Sequence, residues 1–241
     1  VRITDLTNQE VADSASVVVH KGLVYPGLAT RSYVSVVGQP NQVDLITVDW
    51  DSQPVPNQEL AVGVSKAEWI NVQKKAEDGQ FYWTTEVKET PVLTETITTD
   101  AKGQAVFTWT PAEGGQYKIN ASVVDSQGHT VRSSTFVWAS ASPETYVSWR
   151  VDNNDRITLV ADKAQYQVGD TAQVLVPHPY QGPVEALLTI ERGRIIETQR
   201  LTLDGNSETL AIPISEDFTP DVFVSVVIVK GQDVQGAELG S

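Results

Sequence analysis

Residues 121–140 read ASVVDSQGHTVRSSTFVWAS, and a related passage opens the chain. Residues 1–20 read VRITDLTNQEVADSASVVVH; at an offset of 120, Asp5 falls on Asp125, Val11 on Val131, Ser14 on Ser134 and Val17 on Val137. Both passages share one pattern: a strand, an Asp-led polar turn, a Val, a Ser, then a second strand. A repeat near 120 residues has the size of one β-sandwich. The chain therefore reads as a window on a row of similar β domains, opening on the tail of one and running into at least two more.

Working outward, period-two alternation dominates. Leu60, Val62 and Val64 share a face, as do Phe81, Trp83, Thr85 and Val87; Ala105, Phe107 and Trp109; Tyr117, Ile119, Ala121 and Val123; and Val131, Ser133, Thr135 and Val137. Thr, Val, Ile and aromatics suit a half-buried pleated surface. Turn chemistry separates the runs at 38–41 (GQPN), 54–57 (PVPN), 100–103 (DAKG), 114–115 (GG) and 125–128 (DSQG). The expected fold is all-β: tandem antiparallel sandwiches of the immunoglobulin or fibronectin-III type. Ser65–Asp78 reads as a loop with a short strand. Val222–Val229 is apolar on both faces, which predicts a central, deeply buried strand.

The 241 residues suffice for two sandwiches, each with a real core. A net charge of −14 disfavours nucleic acid and anionic membrane surfaces, which need clustered Lys and Arg. There is no Cys, which excludes disulfides, thiolate metal sites and Cys nucleophiles from this segment. No apolar run approaches the ~18 residues of a membrane span. Met is also absent and the chain begins on Val1, which is read as a segment of a longer protein.

Small residues and a Pro at 140–143 (SASP) mark one boundary, with few side chains able to pack there; Lys21-Gly22 marks another. The expected units are 1–20, the closing hairpin of a preceding domain; 21–141, a complete sandwich; and 142–241, the first part of a third. The first 20 residues should need a partner strand, since an isolated hairpin is marginal in water. Tyr25-Pro26-Gly27 and Tyr166…Gly169-Asp170 are cognate bends feeding strands into sheets. From Gly231 the chain is small, polar and Gly-rich, and is expected to be flexible.

Residues that carry chemistry are few. His20, His129 and His178 lie at a domain edge, in a polar turn and between two prolines, with no metal-ligand spacing; surface or turn histidines are expected. Asp152-Asn153-Asn154-Asp155 is the best cation candidate, but it lacks EF-hand spacing and reads first as an Asx-rich turn. No G-x-S-x-G, Walker A or G-x-G-x-x-G run occurs, and no carboxylate pair is marked for acid–base work. Trp83 and Trp109 fall within alternating apolar faces and read as core. Trp69 is the tryptophan to test for a surface role.

Three passages together resemble the alpha-2-macroglobulin family. Residues 99–111 (TDAKGQAVFTWTP), followed by Gly114…Tyr117, are similar to the Gly-led strand and the Pro…Gly…Tyr corner of macroglobulin domains. Tyr166-x-Val-Gly169-Asp170-Thr-Ala-x-Val174, and then Glu191-Arg-Gly193 continuing to 220–231 (PDVFVSVVIVKG), look like the opening half of the domain into which the family inserts its bait region. The resemblance implies that 1–20 finishes one macroglobulin domain, 21–141 is a complete one, and 142–230 begins the bait-bearing domain. Lys230, Gly231, Gln232 and Asp233 would then open a protease-accessible bait segment. In the family a protease cleaves the bait, the molecule rearranges and the protease is trapped; many members also bond it through a Cys-Gln thioester, for which this segment has no Cys.

The resemblance thus implies a non-catalytic scaffold segment of a bacterial-type protease-trapping inhibitor, extracytoplasmic and without cofactor. Its partners would be proteases, through the parent protein, and neighbouring macroglobulin domains of the same chain, with no nucleic acid and no direct membrane insertion. The alternative is a cell-surface adhesin or binding module of tandem immunoglobulin-like domains; a carboxylate enzyme or glycosidase accessory region is third.

Overall fold

Two sandwiches follow one another along the chain, and the alternating runs form their facing layers. The computed structural model describes residues 2–4, 10–75, 81–150 and 156–229. An antiparallel hairpin comes first, β1 (Arg2–Thr4) with β2 (Glu10–Ala12). In the first sandwich, β3 (Tyr25–Thr30), β5 (Asn41–Val48) and β8 (Gln104–Trp109) form one sheet. The facing sheet runs β4 (Val34–Val36), β10 (Thr130–Ser140), β9 (Gly115–Val124), β6 (Glu59–Lys75), β7 (Phe81–Thr98). The chain changes sheets early, because β4 leaves β3's layer to pair in parallel with β10; the other pairings of this sandwich are antiparallel. This is the immunoglobulin-type arrangement expected from the sequence.

The expected faces on β6, β8, β9 and β10 supply the core, whereas Val87, from the expected Phe81–Val87 face of β7, is 47% exposed. Val43, Leu45, Leu60, Val62, Val64, Phe107, Tyr117, Ile119, Ala121 and Val123 are all buried, and Trp109 joins them. The Asp-led turns are made by their carboxylates. Asp100 Oδ1 accepts the amides of Lys102 and Gln104, and Gly103 takes the positive φ of 72° that closes the turn. The Tyr corner is present: the Tyr117 hydroxyl donates to Glu113 O at 2.7 Å.

Ser65–Asp78 is not a loop, as far as the described residues reach. β6 runs on to Lys75, with a bulge between Val64 and Ser65. The extra residue of the bulge, Val92, is on β7; β6 keeps its register with β9, so Lys66 stands opposite Tyr117 where an apolar residue would continue the run, and the broken alternation hides the strand. β9 accompanies β6 only from Leu60 to Ala67. Beyond that point β6 and β7 continue as a two-stranded ribbon about 25 Å long.

The second sandwich sets β11 (Val160–Ala161), β12 (Thr171–Pro177) and β15 (Ser207–Pro213) against β14 (Ile195–Leu203), β13 (Val184–Glu191) and β16 (Phe223–Val229). A 3-10 turn, Glu216–Phe218, precedes β16. Val222–Val229 was expected to be central and deeply buried, and the structure corrects this. β16 pairs with β13 alone among the described strands, and Phe223, Val227 and Val229 are 70%, 55% and 61% exposed. Only its Val224, Val226 and Ile228 face packs on the core.

Asp125 joins the N-terminal entry of the first sandwich to its β9–β10 turn. Its side chain is shielded from solvent, and it accepts the Leu23, Gln127 and His129 amides and faces the His129 ring. Burial alone would raise its pKa; the amides of Leu23, His129 and Gln127 and the His129 ring outweigh it and hold the group at about 2, against 3.8 ordinarily. A carboxyl depressed by folding stabilises fully above its unfolded value, and that contribution is lost as pH falls through the folded one. The Tm advantage of the native chain over Asp125→Asn is therefore expected to shrink between pH 3.8 and about 2. A difference constant across that window would contradict the assignment.

Candidate functional site

The joint between the sandwiches and the strand leading towards residue 230 are where the chain has functional geometry. Lys230, Gly231, Gln232 and Asp233 themselves lie outside the described residues, as does Asp152–Asp155. Among the described residues no group of three or more His, Cys, Asp or Glu side chains is placed to hold a metal ion, and no helix is long and apolar enough to cross a membrane.

The 140–143 stretch was expected to offer little packing; instead the linker is clamped from both sides. Val147 and Trp149 are buried, in a cluster with Val34, Val160 and Leu175 drawn from both sandwiches. The Ala141 amide donates to Ser207 Oγ at 3.0 Å, and the Tyr33 amide donates across the joint to Asp162 O at 2.8 Å. Two glycines make the close approach possible. A Cβ on Gly114 would meet Val147 Cγ2 at 2.5 Å, and one on Gly205 would meet Pro143 Cα at 2.5 Å.

Asn206 is the hub. Its Oδ1 accepts the Val147 amide at 3.0 Å, and its Nδ2 donates to Val147 O at 2.7 Å and His178 O at 3.0 Å. Its own carbonyl accepts Trp149 Nε1 at 2.7 Å. The side chain pairs with the linker as a strand would, so the linker's backbone groups are satisfied although buried.

His178 was expected at the surface and is fully buried. Its Nδ1 accepts the Tyr180 amide, so Nε2 carries the proton and donates to Gly205 O at 3.1 Å. Burial pushes its pKa below the usual imidazole range, against the opposing bond to Gly205. His20 and His129 are exposed, as expected.

Trp69 stands on β6 opposite Val87 rather than in a loop, and it is partly buried. The Arg150 guanidinium lies 5.4 Å from its ring centroid, so the ribbon's root leans on the end of the linker. Lys66 pairs with Glu113 on the wall of a groove of about 800 Å³ that also takes in Ser142, Tyr146 and Val147. Trp109 is core, as expected; the Trp83 side chain lies outside what is described. Asn206, Gly205 and Trp149 were not marked as joint residues in the sequence. Their contacts across the joint, Asn206 with Val147 and Trp149 and Gly205 with Pro143, span 57 or more positions, and no local period signals them.

Residues 29–140 match the family model of bacterial macroglobulin domain 6, and residues 157–239 match that of the alpha-2-macroglobulin bait region domain. An alpha-2-macroglobulin homolog of a Nostoc species is 22% identical over 242 residues, covering 100% of this chain and 12% of that protein. An alpha-2-macroglobulin of Ralstonia nicotianae is 31% identical over 147 residues, covering 56% of this chain and 8% of that protein. The chain thus spans a small part of these relatives. The native conformation of E. coli alpha-2-macroglobulin aligns with 95% of this chain and 15% of its own, at 17% identity and a TM-score of 0.45. Two successive models of one family account for most of the sequence, and the chain belongs to the alpha-2-macroglobulin family, with a macroglobulin domain leading into a bait-region domain.

Proposed function

We propose that the chain is a non-catalytic scaffold segment of an extracytoplasmic protease-trapping inhibitor. Residues 1–20 close one macroglobulin domain, 21–141 form a second, and 142–241 begin the bait-bearing domain. The protease-accessible bait opens at Lys230, Gly231, Gln232 and Asp233. The observation that carries this reading is the order of the two family matches, a macroglobulin domain followed directly by the bait region domain. Physical support comes from the clamped linker: a trap needs walls that hold their shape while a neighbouring segment is cut. The Gly-rich, polar composition of residues 231–241 suits a segment a protease must seize in extended form. Proteases engage the parent protein, and neighbouring macroglobulin domains complete the enclosure.

Limited proteolysis of the native parent protein tests the reading. Several proteases of unrelated specificity are expected to cut first just beyond Lys230. Resistance there while other loops are cut would remove the bait assignment.

A further inference from the structure

One buried ring stands between the end of β12 and the turn that holds the linker. His178 directly follows Pro177, the last residue of β12, which pairs with Ser207. Three bonds tie His178 to that turn. Its amide donates to Asn206 O at 3.3 Å, its carbonyl accepts Asn206 Nδ2 at 3.0 Å, and its Nε2 donates to Gly205 O at 3.1 Å. Residues 205–207 in turn grip the linker: Asn206 bonds Val147 and Trp149, and Ser207 Oγ accepts the Ala141 amide. Whatever displaces the ring therefore loosens that grip.

The pocket suits one protonation state. Nδ1 accepts the Tyr180 amide at 3.3 Å, so a proton added there would set two N–H donors face to face. The resulting imidazolium would also be enclosed, because His178 is 0% exposed. The ring's bonds go to peptide groups, and the Tyr180 ring packs 5.9 Å away. Titratable groups on the surrounding elements are Glu144 and Tyr146 of the linker, Tyr180, Asp204 and Glu208 of the turn, and Glu185 of β13. None of them is bonded to the imidazole. Glu208 accepts the Asp204 amide, and Glu185 is engaged with Arg200 and Thr202.

We propose that His178 is a proton-operated latch on the joint. On protonation the ring leaves its pocket, the 205–207 turn parts from the end of β12, and Asn206 releases the linker.

Burial sets the sign. It outweighs the bond to Gly205 and puts the folded pKa below the 6.5 of an ordinary imidazole. Closure is strongest above 6.5. Between the folded value and 6.5 the opened joint binds a proton that the closed one does not, so closure weakens as pH falls. Within that window the open-to-closed ratio should rise by up to about tenfold per pH unit.

Hydrogen exchange at the Val147 amide and the Trp149 indole tests this between about pH 8 and 5, after correction for intrinsic exchange. In the native chain both should lose protection on the acid side, while β9 amides keep theirs. His178→Gln retains a donor for Gly205 O but does not titrate, so its joint protection should stay constant. Ring NMR of the native chain adds a measurement that needs no variant. The His178 signals should show the Nε2–H tautomer in the closed state and titrate together with the loss of joint protection. A native joint equally protected at both ends of the range, a glutamine variant that loosens as the native chain does, or a His178 that titrates without loosening the joint would each overturn the proposal.

Discussion

Asn206→Ala is expected to destabilise the second sandwich and its joint by about 3–5 kcal/mol. The substitution leaves the Val147 amide, Val147 O and His178 O without the side-chain partners they now have. Asn206 is only 3% exposed, so water does not replace those bonds without opening the joint. Each buried group left unpaired costs about 1–3 kcal/mol, and some relaxation keeps the total below the simple sum. Asn206→Asp should be at least as harmful, because a carboxylate oxygen would face two carbonyl oxygens where Nδ2 now donates. Denaturant unfolding followed by tryptophan emission checks this, since Trp149 donates to the Asn206 carbonyl and is buried beside it. The transition that exposes Trp149 should move to lower denaturant. A shift worth less than about 1 kcal/mol would mean that the linker is held by apolar contact alone.

The consequence for function runs through the same residues. The linker is bonded to the turn between β14 and β15 and pressed on Gly114 of the first sandwich. The second sandwich is therefore held against its neighbour through the linker. The ribbon adds a further support where Trp69 meets Arg150.

Period two made the cores legible because a half-buried sheet exposes alternate side chains, and Leu60, Val62, Ile119 and Ala121 are indeed inaccessible. The same rule failed past Val64, where β6 keeps its phase against β9 but Lys66 and Glu68 stand where apolar residues were sought. It failed again at β16. Apolar residues on both faces state what a strand would bury, not whether a neighbour is present to bury it. The joint was illegible for a third reason. Asn206 meets Val147 across 59 positions, and neither carries a local signature. The small residues at 140–143 were read as slack, but Gly205 and Gly114 are small because the linker runs directly over them. Lys230–Asp233 rest on composition and family order, and the described residues stop one short of them.

Tyr117→Ala is expected to cost the first sandwich about 3–5 kcal/mol, and Tyr117→Phe only about 1 kcal/mol. The ring is 2% exposed, and its centroid lies 4.8 Å from that of Trp109 on the facing sheet, so it ties the two layers together. Truncation leaves a cavity among residues that cannot all collapse into it. The phenylalanine variant keeps the ring and removes the 2.7 Å bond to Glu113 O, which separates the corner from the packing. The corner's cost should also appear at the joint. Glu113 precedes Gly114, and a looser turn there no longer presses on Val147. Hydrogen exchange in the phenylalanine variant is therefore expected to quicken at 112–114 and 145–147, while the strand amides of β9 stay protected. Equal losses in the two variants would assign the stabilisation to the hydroxyl and overturn the packing account.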